Sequence, residues 1–507
     1  MPAARFKITL ADLTAGNVNQ MLPDDDRIVD RVMSFKFDNP AHFDGSKFDV
    51  VFMFGFASSL GRAGTAADGN PYPTNQLAQS ELQAIAEFQN GGGGLFATGD
   101  HGALGRFMGQ ALPRARSMRL WDSTSTDNDL DEVSMGGERR NDTNRQGDAG
   151  SQFEDQSDDI PQPIQPKMYS LSNGLFEYSY PHPLLCGPLG PIRVMPDHPH
   201  EGVCIEPLDN GQTLHFTAPA GAEFPAAVDG GPRPLPEIIS TNSVLAGTRS
   251  GFKDPTIPHQ FGGISAYDGH RAGIGRVVTD ATWHHFVNIN LLGDSGEPVG
   301  SIKSLGYMAS PAGQAHFEAI KAYYRNLATW LARKSLVRCM NWRLIVKILR
   351  TDRVLEATLT TADVSLRQIS PATLLLIGRH ARDVLGKFAG QCQSRRLIID
   401  LIWPEMVNQL PAIDPWFHDA LERDRQDRDG GKAPNKDPIL WVNYEHSLEM
   451  ALGAALVTVN RALPDEPEKI ADELVEKAAL SGARDGLKQA LNALNSSIKS
   501  NARAFDL

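Results

Sequence analysis

Residues 91–102, which read GGGGLFATGDHG, carry the clearest indication of the fold. The glycines end a helical pattern over 74–90, and residues 95–98 form a short apolar run that predicts a buried strand. A tight turn follows this strand, and a second helical pattern begins near Leu104. Another apolar run, residues 48–56, predicts a strand before the first helix. Strand, helix, strand, turn and helix in this order are typical of a parallel α/β sheet.

The rest of the chain predicts one large α/β domain followed by helices. Residues 275–280 form the last predicted core strand, and the pattern is helical from about residue 315 onward. The predicted domains are therefore 1–314 and 315–507, with a further division near 423–437. Residues 122–166 are rich in Asp and Glu and poor in apolar residues, so we expect an acidic insertion there. A helical seam near the end of the chain either packs on its own domain or pairs two copies into a homo-oligomer; its residues are Leu487, Leu491, Leu494 and Ile498.

The composition excludes several classes of protein. The chain has 507 residues, 41% of them hydrophobic, and a net charge of −12. Such a charge disfavours nucleic acid and anionic membrane surfaces as partners, and no apolar run is long enough to span a membrane. The start of the chain has no secretory signal pattern, which predicts a cytoplasmic protein. The four cysteines have no CxxC spacing, so we expect reduced and mostly buried thiols.

The turn after the strand at 95–98 carries the first candidate site residues, Asp100 and His101. Ligands of open parallel sheets bind beyond the carboxyl ends of the strands, where free amides of the next helix also point. We therefore expect Asp100 and His101 in a cleft, with acid/base or ligand roles. The alternative is structural: Asp100 caps the helix and His101 bonds to a loop.

A second group of ionisable residues lies in the sequence MPDHPHEG at 195–202. It offers Asp197 for substrate binding, Glu201 for acid/base chemistry, and His198 and His200 as metal ligands. At most one of these histidines is expected to share a pocket with Glu201 directly, unless a turn at Pro199 redirects the segment. The spacing matches no standard zinc signature.

The third candidate group is DATWHH at 280–285, again at a predicted strand end. His284 is a plausible acid or base and His285 a plausible metal ligand, because a neutral imidazole accepts a proton near pH 7. Trp283 offers a flat surface for a substrate, although a tryptophan in this position is more often part of a core.

Two of these segments resemble a known family. Residues 93–103, with their glycines, apolar strand and Asp100-His101, look like the glycine-rich segment of trehalose-utilisation-type (ThuA-like) proteins, and Gly275 through His284 is similar to a late strand of that family. The family belongs to the class I glutamine amidotransferase-like superfamily. Over about 1–310, the resemblance implies a flavodoxin-like (amidotransferase-like) parallel sheet sandwiched by helices, and a sugar-like substrate. The superfamily's cysteine nucleophile has no counterpart in the turn at 99–102, so glutaminase chemistry is not expected.

The prediction from sequence is an intracellular, hydrolase-like enzyme acting on a small polar substrate of carbohydrate-like type. Asp100, His101, His284 and Glu201 are its predicted catalytic residues. A divalent metal, Zn or Mn, is one option for activating water, with His101, His198, His200 and His285 as ligands; a His–Asp pair is the other. The alternative is a non-catalytic binding or assembly protein whose helical region carries the interaction.

Overall fold

The computed structural model describes most of the chain. The described residues are all those outside 1–5, 15–24, 56–61, 100–104, 122–161, 173–176, 189, 197–201, 208–211, 217–219, 245–258, 287–290, 294–295, 297, 300–305, 350, 360, 362–363, 390–397, 399–443, 463–471 and 505–507. They fall into two compact units. The sheet unit comprises residues 5–167 and 192–334, and the helical unit comprises 168–191 and 335–507 with the first four residues.

In the described chain, strands fill the part up to residue 280, with two α-helices among the first of them, and α-helices follow the last strand. The strands are β1 (Ile8–Ala11), β2 (Ile28–Val32), β3 (Val50–Gly55), β4 (Gly94–Gly99), β5 (Gln162–Pro166), β6 (Met168–Ser172), β7 (Glu177–Pro181), β8 (Cys186–Gly187), β9 (Gly190–Pro191), β10 (Val194–Met195), β11 (Thr213–Leu214), β12 (Gly221–Ala222), β13 (Glu237–Val244), β14 (His259–Tyr267) and β15 (Val277–Asp280). The helices are α1 (Gln79–Asn90), α2 (Arg106–Gly109), α3 (Pro311–Leu331), α4 (Lys334–Leu349), α5 (Asp352–Leu359), α6 (Pro371–Ala389), α7 (Tyr444–Ala462) and α8 (Asp472–Ala504).

A seven-stranded sheet forms the centre of the sheet unit. Its strand order is β10-β5-β13-β14-β15-β4-β3. The strands β3, β4 and β15 are parallel to one another, and β14 pairs antiparallel with β15. The strand–helix–strand unit predicted from residues 48–98 is therefore confirmed as β3, α1 and β4.

The remaining strands of this sheet differ from the prediction of a parallel sheet. The pairs β14–β13, β13–β5 and β5–β10 are all antiparallel. A parallel connection needs a crossover, usually an α-helix, and the described residues between β5 and β15 contain none. The sheet is mixed for this reason. Its strand β5 also occupies the last five residues of the predicted acidic insertion; residues 122–161 lie outside the described chain.

Glycines 91–94 bring β4 into the sheet where bulkier residues would collide. Gly92 has φ +90°, which glycine adopts without strain, and it turns the chain after α1. A methyl group on Gly94 would stand 2.1 Å from the carbonyl oxygen of Leu331 in α3. The glycine run predicted as a helix end thus also allows α3 to approach the sheet closely.

Helix α3 belongs to the sheet unit, although residues from 315 onward were predicted to begin a separate helical region. Ile320, Tyr323 and Leu327 form its buried face. The ring of Tyr323 packs against Phe286, which follows β15. Helical periodicity shows which face of α3 is buried, but the periodicity is the same whether that face covers a sheet or other helices.

The helical unit has its own apolar core, formed largely by α4 to α8. Helices α6 and α7 approach closely because glycines face backbone: a methyl group on Gly378 would lie 1.8 Å from the carbonyl oxygen of Glu449. Leu487, from the predicted seam, is fully buried in this core. Leu487 therefore packs within its own unit, and the pairing of two copies through this seam stays a prediction.

Candidate active site

The candidate site starts from the carboxyl end of β15. All four residues of this strand are buried, and Asp280 is the last of them. Thr98 at the end of β4 donates a hydrogen bond from Oγ1 to the Asp280 carbonyl oxygen over 3.0 Å. The chain then turns: the amide of Thr282 donates to Asp280 Oδ1 over 3.2 Å, and residues Trp283–Phe286 form a 3-10 turn. This turn returns His285 to the side chain of Asp280.

Asp280, His285 and Tyr323 form a buried hydrogen-bonded group. His285 Nδ1 lies 2.9 Å from Asp280 Oδ2, and the hydroxyl of Tyr323 donates to the same oxygen over 3.0 Å. Burial, together with the neighbouring carboxylate, raises the pKa of Tyr323 well above its usual value, so its phenol keeps its proton and acts as a donor. With Nδ1–H donated to Asp280, the imidazole carries its lone pair on Nε2, the arrangement of a general base.

Arg119 joins the described ends of all three sequence motifs. Its Nη2 donates to the carbonyl oxygens of Gly99 over 3.1 Å and of Ala281 over 2.9 Å. A methyl group on Gly202 would stand 2.6 Å from this nitrogen and 1.7 Å from the Ala281 oxygen. The motifs at 99–102, 195–202 and 280–285 therefore meet at one guanidinium group through Gly99, Gly202 and Ala281.

The structure places only part of the predicted site. Asp100, His101, Asp197, His198, His200 and Glu201 lie outside the described residues. His284 is buried, and Trp283 is half-buried with its ring 5.7 Å from the imidazole of His284. The carboxylate partner is bonded to His285, the histidine predicted as a metal ligand, rather than to His284, the one predicted as acid or base.

No three His, Cys, Asp or Glu side chains of the described chain come together as a possible metal site. Cys186 and Cys204 are buried thiols, as predicted. Burial raises the pKa of Cys204 to about 12, so this thiol carries little nucleophilic thiolate at neutral pH. The side chains of Cys339 and Cys392 lie outside the described part of the chain.

The sequence analysis assigned no role to three residues of this site: Asp280, Tyr323 and Arg119. Asp280 offered a usable signal, since it ends a predicted strand five residues before His285. Tyr323 and Arg119 offered none, because Tyr323 is one aromatic residue of a helix face and Arg119 is a single arginine that lies outside all three motifs.

 The separation from Asp280 to Tyr323 is 43 residues, and that from Arg119 to Ala281 is 162 residues, so no local pattern connects these pairs.

No family model, curated protein or solved structure matches this chain. None of the described helices combines the length and the apolar character needed to cross a membrane.

Proposed function

We propose that this protein is a hydrolase-like enzyme in which His285, held by Asp280, is the acid/base group. The single observation that carries this proposal is the bond from His285 Nδ1 to Asp280 at the carboxyl end of β15. Ligand sites of α/β sheets lie beyond this end of the strands. A carboxylate that accepts from Nδ1 fixes the tautomer of the imidazole and stabilises its protonated form during a reaction.

The reaction proposed is hydrolysis of a small polar substrate. His285 Nε2 takes a proton from water while the water oxygen bonds to the electrophilic atom of the substrate. The bond from that atom to the leaving group then breaks, and the imidazolium returns the proton to the leaving group. Carbohydrate-like molecules are the first substrate class to test, following the resemblance to ThuA-like proteins.

The remaining predicted site residues enter this proposal through the chain itself. Asp100 directly follows Gly99, whose carbonyl oxygen accepts a hydrogen bond from Arg119. Glu201 directly precedes Gly202, which lies so close to the Arg119 guanidinium that a methyl group there would collide with it. We therefore keep Asp100, His101 and Glu201 as catalytic residues and Asp197 as a substrate ligand. Activation of water by Zn or Mn, with His198 and His200 among the ligands, is the metal-assisted form of the same proposal.

The amidotransferase-like family remains part of this proposal for the sheet unit. The parallel strands β3, β4 and β15 with α1 support it, because the resembling segments 93–103 and 275–284 lie on two neighbouring strands, β4 and β15. Cysteine-dependent glutaminase chemistry is not proposed, since the turn at 99–102 carries no cysteine and burial raises the pKa of the Cys204 thiol.

A second candidate function is non-catalytic binding or assembly. The observation that favours it is burial: Asp280, His285 and Tyr323 each expose 0% of their surface. A buried ion-pairing group of this kind also serves as a structural link between a strand and a helix. In this alternative the group only fastens α3 to β15.

The deciding experiment compares the wild type with His285→Gln and Asp280→Asn on chromogenic glycosides, esters, amides and phosphates. We expect turnover of one class, reduced about a hundredfold or more in both variants, which is the usual effect of losing general acid–base catalysis. His215→Gln is the matched control, because His215 is exposed on the turn after β11. Equal turnover by the wild type and His285→Gln would overturn the proposal.

A second measurement separates catalysis from a structural role. Nitrogen-15 NMR of the histidine side chains should show the Nδ1–H tautomer for His285 in the wild type and a changed tautomer balance in Asp280→Asn. Intact folding of both variants, with no turnover of any class by the wild type, would favour the binding protein instead.

A further inference from the structure

Each oxygen of the Asp280 carboxylate accepts a hydrogen bond from a donor other than the imidazole. The amide of Thr282 donates to Oδ1 over 3.2 Å, and the hydroxyl of Tyr323 donates to Oδ2 over 3.0 Å. His285 Nδ1 lies 2.9 Å from either oxygen. The imidazole therefore faces the middle of a carboxylate whose two oxygens are held by separate elements, the turn after β15 and helix α3.

The donor from α3 is the one that fixes the plane of this carboxylate. The torsion that turns an aspartate carboxylate about its Cβ–Cγ bond has a broad energy profile, so a single bond from the Thr282 amide to one oxygen leaves the plane free to rotate. Tyr323 holds the second oxygen from 43 residues away in the chain. Its side chain is buried, so bulk water does not take the place of the hydroxyl.

The next residue of α3, Tyr324, holds the backbone of the same histidine. Its hydroxyl donates to the carbonyl oxygen of His285. The ring of Phe286, which follows His285, lies 6.1 Å from the ring of Tyr323 and 5.5 Å from that of Tyr324. Helix α3 thus contacts the carboxylate partner of the imidazole, the backbone of the histidine and the side chain that follows it.

From these contacts we infer that Tyr323 is a positioning residue for the acid/base group: its hydroxyl fixes the plane of the Asp280 carboxylate and so centres the imidazole of His285 on it. Tyr324 assists by holding the backbone of His285. The inference rests on the proposed function for the reaction itself, but the state of the imidazole is measured without any substrate. It gives α3, which the sequence placed outside the α/β domain, a part in the site.

The test compares the full-length wild type with Tyr323→Phe and Tyr324→Phe, which keep the rings and remove only the hydroxyls. In Tyr323→Phe the Nδ1 proton of His285 no longer shares Oδ2 with a second donor, so its bond shortens and its NMR resonance should move downfield. We expect kcat to fall about tenfold, the effect of one lost hydrogen bond to a charged group, with KM unchanged. Tyr324→Phe removes a bond to a neutral oxygen and should lower kcat only about threefold.

Tyr72→Phe is the matched control. Tyr72 is a buried tyrosine of the same unit, and its hydroxyl donates to a different carboxylate, that of Asp38, over 2.6 Å. This variant loses a bond of the same kind, so it should lower the urea midpoint while the His285 resonance and kcat stay at their wild-type values. If Tyr323→Phe does not fold, fluorotyrosine at position 323 strengthens the donor instead, and the resonance should then move upfield.

The outcomes separate this inference from the proposed function. An Nδ1 proton resonance that is the same in Tyr323→Phe and the wild type overturns the inference, because Tyr323 then only fastens α3 to the sheet; His285→Gln still tests the acid/base role. If the resonance moves in Tyr323→Phe while His285→Gln keeps full turnover, the proposed function fails and the positioning of the imidazole stands. A shifted resonance together with lower kcat in Tyr323→Phe and loss of turnover in His285→Gln supports both.

Discussion

His285 and His270 are both buried imidazoles, and their surroundings give them opposite properties. His285 bonds to the carboxylate of Asp280. His270 lies in the short turn before β15, where its Nε2 has no hydrogen-bond partner among the described residues. Burial and the nearby charge of Arg276 lower the pKa of His270 to about 3, with Asp268 opposing and Lys334 adding to the effect. His285 therefore has a carboxylate partner, whereas His270 is held neutral by burial and by the charge of Arg276.

Acid should destabilise the sheet unit through His270. The unfolded chain binds a proton at this histidine below its ordinary pKa of 6.5, whereas the folded chain does so only near pH 3. His270 therefore does not lower the free energy of unfolding above pH 6.5. Between pH 6.5 and about pH 3 it lowers this free energy as the pH drops, by up to about 1.4 kcal/mol per pH unit. His270→Gln removes this contribution, so its urea midpoint should fall less between pH 7.5 and pH 5 than that of the wild type.

The control for this measurement is His215→Gln, which removes an exposed histidine of the same unit. Parallel midpoints for the wild type and His270→Gln across this range would show that His270 is not held neutral by the fold.

At the scale of elements, glycines set how closely neighbours approach. In the helical unit, Gly378 of α6 faces the carbonyl oxygen of Glu449, and Gly453 of α7 faces that of Leu374. The two contacts are reciprocal, so the backbones of α6 and α7 lie against each other at both positions. Arg379 and Arg382 then reach the buried carboxylate of Glu449 from α6. Close packing and two ion pairs therefore hold the same two helices.

Gly378→Ala should destabilise the helical unit. The added methyl group would stand 1.8 Å from the Glu449 oxygen, so the two helices must separate. Overpacking of this kind costs typically about 1–3 kcal/mol, to be measured as a lower urea midpoint by circular dichroism. Gly221→Ala is the control, because a methyl group there meets no atom within 4 Å. Equal midpoints for Gly378→Ala and the wild type would contradict the close approach.

At the scale of the sheet unit as a whole, Arg119 joins segments that are far apart in the chain. It is 1% exposed and bonds to the carbonyl oxygens of Gly99 and Ala281 while its guanidinium packs 4.5 Å from the ring of Trp121. A planar guanidinium offers several donors in fixed directions, and a lysine ammonium does not reproduce that geometry.

Arg119→Lys should therefore lower both stability and turnover. Leaving a buried carbonyl oxygen without its donor costs about 1–3 kcal/mol, and the loss is expected in the urea midpoint. Under the proposed function, the same variant lowers kcat because Gly99 and Ala281 adjoin Asp100 and the 282–285 turn. Arg233→Lys, at an exposed arginine, is the matched control. Wild-type stability in Arg119→Lys would show that the guanidinium does not join these segments.

Local sequence predicts the β3–α1–β4 unit, the glycine run that ends α1, the last core strand and the helical character beyond residue 315. These features depend on side-chain periodicity and on glycine backbone preferences, which act within a few residues. It also marked the 280–285 segment, including the carboxylate and the imidazole that the fold joins.

Contacts that no local pattern predicts bond His285 to Asp280 and bring Tyr323 from α3 to the same carboxylate. The same is true of Arg119, which meets three separate motifs. The pairing of β13, β14 and β5 into a mixed sheet was decided in the same way. Each of these depends on contacts between residues distant in the chain, and such contacts form only when the whole sheet unit buries its apolar faces together.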